Sequence, residues 1–531
     1  MRPSFYPSLC GLLALLVALS PLACTRNPVT GRNQIVLMDD EDDRESDRQG
    51  ALAVEAQIGL VEDEELAAYV DELGQAMAKH SPRQNVRYHF HVVAMDEPNA
   101  FALPGGHIYV SRGLLALTNS EAELANVLGH EIGHVAARHA AQRDALEKLM
   151  SVMTVVGYAA AAAGGATNNG NGGPAGTPGI YKYSRDQESE ADRIGQDLAV
   201  MAGVDPAGMA DFMRSLDSAT RLQMGFSRET GYFDTHPATR ERAAEAATHA
   251  QVMNWEPKLK IARDRRDFLD RMSGLSVGPD AAEGVIRDGY FLHADFGVSV
   301  RFPPGWEIVN TRSAVLGISP TRDAMVVLEL QGPGDDPRAA ATGYARIQRV
   351  PLRDEAATEV NGLDAYRAKS ELATPMGSRS ADITWIAHGG MIYRLSGFAA
   401  KSRGAYAGIF RSFPRGFRAI TEEELAQVDD LRLRVVEARA GETLAQLSDR
   451  TGNAWELNET AVANRIHLDE RFDEGELVKI TVRQPYVPEG RGAEPSTHRP
   501  DDDEAAEPDD RDPEREHDKE EAAHFRSNSL H

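Results

Sequence analysis

The stretch His130-Glu131-Ile132-Gly133-His134 constrains this chain more than any other. A helix turns about 100° per residue, so histidines four apart lie only about 40° from each other, and both imidazoles can reach one ion. Glu131, about 100° away from His130, stands beside that ion and can act as general base on water. Ser120 and Glu123 form an S-x-x-E signal that opens this helix. Hydrolytic metal sites usually keep three protein ligands and one open position, so the fold must bring a third ligand from elsewhere.

Three residues compete for that place. His139 lies five positions past His134, about 140° around a continuous helix, which reads as solvent-facing. Glu188 and Asp192 share a face of a second helical segment, Tyr183 to Asp192, so Glu188 as ligand with Asp192 behind it is coherent. Glu190 points elsewhere on that segment, yet periodicity alone leaves it open.

Around these segments the chain reads as several units, since 531 residues exceed one core. Residues 39–48 make a charged start, and Leu66, Tyr69, Val70, Leu73 and Met77 share a helical face. Val86, Tyr88, Phe90 and Val92 alternate with polar residues as in a half-buried strand, with His89 and His91 on its polar face. A turn at Leu103-Pro104-Gly105-Gly106 precedes another strand at Ile108–Val110. Residues 157–179, rich in glycine, alanine and asparagine, read as a mobile loop. Helical sequence continues to about Met272, and a strand-rich composition begins near Tyr290. A third unit spans Val435–Val482, after which the acidic, proline-rich segment from Gln484 reads as disordered.

Lysine and arginine number 57 against 82 acidic residues, a net charge of −25, which argues against nucleic acid as a partner. The only cysteines are Cys10 and Cys24, which excludes a disulfide scaffold or a thiol nucleophile farther along. The apolar run Leu9–Leu22 is shorter than the roughly 20 residues that span a bilayer and reads as a signal peptide. It ends in Leu22-Ala23-Cys24, which resembles a bacterial lipobox, implying lipidation of Cys24. Thr25, where inner-membrane retention usually calls for aspartate, favours the outer membrane.

The His130–His134 motif followed by Ser184-Arg185-Asp186-Gln187-Glu188-Ser189-Glu190-Ala191-Asp192 resembles metallopeptidase family 48, the family of the CaaX prenyl proteases, HtpX and BepA-like enzymes. The resemblance covers about residues 27–275 and includes Asn27-Pro28-Val29-Thr30-Gly31-Arg32, Asn99-Ala100-Phe101-Ala102 and Leu103–Gly106. It implies one Zn2+ per chain on His130, His134 and Glu188, with Glu131 as base and Asp192 in support. It also implies a substrate-pairing edge strand at Gly106, His107, Ile108 and Tyr109, and a role for His236 as a zinc-blocking switch or an oxyanion stabiliser. Residues 290–415 resemble PsbP-like domains, and Val436–Leu477 resembles a LysM module, whose family binds peptidoglycan.

The expected architecture is multidomain: a mainly α-helical zincin (α+β) peptidase domain at 25–275, an α/β sandwich at 285–418 and a small LysM-like α+β module at 430–483. A leader at 1–24 and an acidic tail at 484–531 flank them. The expected function is a zinc metalloendopeptidase of the bacterial periplasm, held at the outer membrane through Cys24 and degrading misfolded or unassembled envelope proteins. Two alternatives are an assembly factor for outer-membrane proteins, working with their assembly machinery, and a peptidoglycan-associated scaffold.

Overall fold

Helical spacing of apolar residues and acceptor side chains at helix starts account for the first half of the chain. The computed structural model describes residues 24–36, 38–143, 183–223, 236, 240–258, 260–374, 377–399 and 403–488. The expected leader up to residue 23, the loop expected at 157–179 and the expected acidic tail beyond residue 488 lie outside them.

β1 (Cys24–Arg26) and β2 (Asn33–Ile35) form an antiparallel pair. The charged start is a helix, α1 (Asp40–Gln57), capped by Asp39, and its buried Asp43 pairs with Arg83 at 2.8 Å and Arg138 at 2.7 Å. α2 (Glu64–Ala78) buries Leu66, Tyr69, Val70, Leu73 and Met77 on one face. β3 (His89–Val93), β4 (Ala100–Ala102) and β5 (His107–Ser111) form a sheet in the order β3-β5-β4. His89 and His91 do face away from Phe90 and Val92, but they stack on His107, at 4.9 and 5.4 Å between ring centres.

Helices α3 (Arg112–Leu117), α4 (Glu121–Ala136), α5 (Arg185–Ala202), α6 (Gly208–Gln223), α7 (Arg240–Val252) and α8 (Arg265–Met272) follow. Ser120 accepts the Glu123 N–H at the start of α4, while the Glu123 carboxylate takes the Asn119 N–H instead of closing the box on Ser120. Ser184 and Gln187 close a full capping box at α5. α4 and α5 pack through glycines: a Cβ on Gly133 would lie 3.1 Å from the Ala191 Cα, and one on Gly195 would lie 2.8 Å from the His130 nitrogen. That close approach sets the second helix against both motif histidines.

β6 (Ser276–Val277) leads into β7 (Val285–Arg287), β8 (Tyr290–His293), β9 (Val298–Arg301), β10 (Glu307–Thr311), β11 (Ala314–Ile318) and β12 (Ala324–Pro333). α9 (Pro337–Gln348) precedes β13 (Arg353–Val360), β14 (Leu363–Thr374), β15 (Gly377–His388) and β16 (Met391–Ala399). α10 (Arg403–Ser412), β17 (Phe417–Ala419) and α11 (Glu422–Leu425) close this part. An antiparallel seven-stranded sheet runs β10-β11-β12-β16-β15-β14-β13, and β17-β9-β8-β7 form a second sheet. The seven-stranded sheet carries an apolar cluster centred on Leu395 and Ile386 and another centred on Trp385 and Ile383. Adjacent residues of β15 divide between the two, as the period of two in a strand requires.

The last unit is β18 (Asp429–Glu437), α12 (Leu444–Thr451), α13 (Leu457–Asn464) and β19 (Leu477–Pro485). The long stretch between Leu447 and Asn464 is the end of one helix, a turn and a second helix. β6 pairs with β18, and Leu433 joins the core of the helical part. The chain is thus multidomain, with helices and several separate sheets. Among the described residues no helix is long and apolar enough to cross a membrane.

Candidate metal centre

His130 and His134 project from α4 with their Nε2 atoms 2.9 Å apart. Glu188, in the first turn of α5, lies 3.7 Å from His130 Nε2 through Oε2 and 3.4 Å from His134 Nε2 through Oε1. His236 closes the group, its Nδ1 3.2 Å from His130 Nε2 and 3.0 Å from Glu188 Oε1. All four residues are buried, and their ligand atoms lie within 4.8 Å of one another. A tetrahedral ion with bonds of about 2.05 Å needs edges of about 3.3 Å. With Glu188 offering Oε1, the four pairs at 2.9, 3.4, 3.2 and 3.0 Å lie near that length, so two imidazoles, a carboxylate and a third imidazole fit a zinc ion.

Charge balance gives the same answer. Glu131, Glu188 and Asp192 are all buried, and ligating imidazoles are neutral. A divalent ion offsets two of the three carboxylates, and Arg242 offsets the third. Its NH1 lies 2.6 Å from Glu188 Oε2, while Nε and NH2 fork onto Asp192 at 2.8 and 2.7 Å. Asp192 Oδ1 in turn lies 2.9 Å from His130 Nδ1, on the ring edge opposite the shared centre. Burial works against a charged Glu188, but His236 and His134 outweigh it and hold its carboxyl below the usual range. Burial opposes a charged Asp192 too, and Arg242 and His130 win there. Burial pushes Glu131 up and His134 well down.

Glu131 Oε1 is buried without a hydrogen-bond partner, and His236 Nε2 is 3.8 Å from it. An unpaired carboxylate oxygen beside a metal-ready cluster is costly unless a ligand or water uses it.

Two expectations need correction. His139 is not solvent-facing: it is fully buried, with Nδ1 2.9 Å from His134 Nδ1. The 140° projection assumed a continuous helix, whereas α4 ends at Ala136 and Arg138 adopts a left-handed φ of 58°. The second concerns Gly106, His107, Ile108 and Tyr109. Gly106 precedes β5, and the other three lie on the central strand, hydrogen-bonded to β3 on one side and β4 on the other. Which strand is an edge is a non-local property that alternation does not carry. β4 is a terminal strand of this sheet, with Ala100 fully buried and Ala102 half-buried. Leu103 N–H donates to His107 and Ser111 N–H to Asn99, so by antiparallel alternation the N–H and C=O groups of Ala100 and Ala102 face away from β5.

Arg242 and Asn27 were missed as parts of the site. Asn27 donates to Glu190 at 3.0 Å. A buried excess of carboxylates was the one signal that could have called for Arg242.

The profile of Peptidase family M48 matches residues 64–250. The chain is 28% identical over 334 residues to the beta-barrel assembly-enhancing protease of Yersinia pestis, covering 58% of this chain and 66% of that protein. It is 32% identical over 181 residues to the metalloprotease LoiP of Escherichia coli, covering 34% of this chain and 68% of the relative. With the mitochondrial metalloendopeptidase OMA1 of Schizosaccharomyces pombe it shares 29% over 201 residues, 38% of this chain and 56% of the relative. The chain thus spans less than two thirds of the Yersinia protein, and 41% of its Escherichia coli counterpart. Among solved structures, cyanobacterial PsbP from Synechocystis aligns over 27% of this chain and 98% of its own, at 13% identity and a TM-score of 0.21, too low to establish a shared fold.

Proposed function

The chain belongs to peptidase family M48, and from that premise we propose that it is a zinc-dependent metalloendopeptidase with His130, His134 and Glu188 as ligands and Glu131 as general base. The observation that carries this is the buried four-residue cluster with the unpaired Glu131 oxygen beside it. Bound zinc supplies Lewis acidity, polarising a carbonyl and lowering the pKa of water toward about 7. Glu131 then accepts the proton of the attacking water and passes it to the leaving amine. Asp192 and Arg242 fix the ring of His130. An extended substrate pairs with the outward backbone groups of the half-buried Ala102, which bind any peptide backbone and leave sequence selectivity loose. His236 occupies the position that catalysis needs open, so it holds the centre latent until a substrate displaces it; the alternative role, oxyanion stabiliser, predicts the opposite mutant effect.

Glu131→Gln should keep its zinc and stop cleavage of a denatured test protein. Undiminished cleavage would refute the assignment.

For the biological setting we infer a periplasmic lipoprotein, anchored at the outer membrane through Cys24, that acts on misfolded or unassembled envelope proteins. The support is the lipobox-like Leu22-Ala23-Cys24 and the relatives named as beta-barrel assembly-enhancing proteases. Those names join assembly to proteolysis; an assembly role independent of cleavage predicts that the Glu131→Gln form still restores outer-membrane assembly. Residues 290–415 retain their PsbP-like reading. For 430–483, the β-α-α-β order supports the LysM-like reading, while its burial against α3 through Lys479 favours an end cap over a glycan-binding scaffold. Unchanged binding to purified cell wall after deletion of 430–483 would remove the scaffold reading.

A further inference from the structure

The two motif histidines are held from behind by different means. His130 Nδ1 meets a carboxylate, Asp192. His134 Nδ1 meets another imidazole: His139 Nδ1 is 2.9 Å away, His139 Nε2 lies 3.4 Å from Glu190 Oε2, and Glu190 Oε1 accepts the Asn27 Nδ2–H at 3.0 Å. Asn27 is itself fixed, since its Oδ1 accepts the N–H groups of Val29 at 2.8 Å and Thr30 at 3.1 Å in the turn between β1 and β2. The string runs from the N-terminal hairpin to the metal centre through side chains that are buried or half-buried.

Donor and acceptor roles along it follow from chemistry. An ionised carboxylate only accepts, so His139 Nε2 carries the hydrogen facing Glu190. A neutral His139 then has a lone pair on Nδ1, and the hydrogen between the rings belongs to His134 Nδ1. That leaves the lone pair of His134 on Nε2, the atom directed at His130 and Glu188. Without Glu190 and His139 the tautomer with hydrogen on Nε2, which cannot bind a metal, becomes accessible.

We propose that His139, Glu190 and Asn27 are positioning residues that set the tautomer and ring plane of His134, making the β1–β2 hairpin a working part of the metal centre. The proposal rests on the zinc reading above and adds three residues to it. It also couples the segment directly after Cys24 to the active centre: displacing the hairpin releases Glu190, and with it the hold on His134.

The test is zinc affinity of the full chain, measured by competition with a chromogenic chelator, together with the visible spectrum of the cobalt-substituted protein. His139→Leu and Glu190→Leu should weaken zinc binding by about 10- to 100-fold and change the cobalt bands. Asn27→Ala should weaken it less. His139→Asn, whose amide oxygen can stand where Nδ1 accepts, should recover most of the loss, which a merely space-filling role would not explain. Folded Leu variants with wild-type affinity and spectrum would overturn the relay alone. A wild-type chain that binds no zinc would overturn the zinc reading and the relay with it.

Discussion

His236 Nδ1 lies 3.0 Å from Glu188 Oε1, so an imidazole that precedes α7 in the chain occupies the fourth corner of a site whose chemistry needs a free corner. His236→Ala should therefore raise proteolysis of a denatured test protein, by roughly tenfold if the blocking contact is worth about 1.4 kcal/mol. A fall in activity would assign His236 to the oxyanion instead.

Arg242 bridges Glu188 and Asp192 inside the protein. Removing one partner of a buried ion pair typically costs about 3–5 kcal/mol. Arg242→Met should lose stability on that scale in the zinc-free protein. Added zinc should restore more of the melting temperature than it adds to wild type, because the ion offsets the same carboxylates. Calorimetry with and without zinc checks this.

Lys479 on β19 is fully buried and donates to the carbonyls of Ala116 at 2.8 Å and Thr118 at 2.7 Å, just before α4. Burial pulls its pKa down to about 7, against the opposing pull of Glu123. Arg465 pairs with Glu123 at 2.8 Å and Asn119 donates to Ala463, so the last module is clamped to the start of the metal-binding helix. Lys479→Met leaves two carbonyls unpaired and should cost about 2–3 kcal/mol in denaturant unfolding. Limited proteolysis should then cut before β18 sooner than in wild type.

The legible parts of this chain were local. The cap at Ser120, the face of α2 and the spacing of His130 and His134 need only a few neighbouring residues to be read. What stayed hidden was non-local or broke the regular period. The left-handed Arg138 turned His139 inward, strand order made β5 central, and Arg242 and Lys479 acquired their partners across distant segments. A helical wheel or an alternation pattern contains none of that information.

Ala102→Pro tests the substrate edge. Its N–H faces away from β5, so proline should spare the sheet, as it does on edge strands. Removing one backbone donor should lower kcat/KM on an extended peptide about five- to tenfold, the equivalent of about 1 kcal/mol. An unchanged kcat/KM would move substrate binding elsewhere.

Asp47 holds α1 on β5 by pairing with the His107 ring and accepting the N–H groups of Gly105 and His107. The hydrogen bond to Asp47 raises the His107 pKa above 6.5. Burial opposes ionisation of Asp47, but His107 still brings it below 3.8. The raised imidazole contributes fully below pH 6.5 and loses its contribution as pH rises through its folded value. The depressed carboxylate contributes above pH 3.8 and loses it as pH falls through its own. The pair should thus be strongest between these limits, which exchange of the Gly105 and His107 amides from pH 4 to 8 would show as protection that declines toward the alkaline end.

Metal content measured by elemental analysis of the purified chain and of His134→Ala goes most directly to the centre. One zinc per wild-type chain, retained in Glu131→Gln and lost in His134→Ala, is the expected result. A wild-type protein free of transition metal, or His134→Ala with undiminished zinc, would contradict the account.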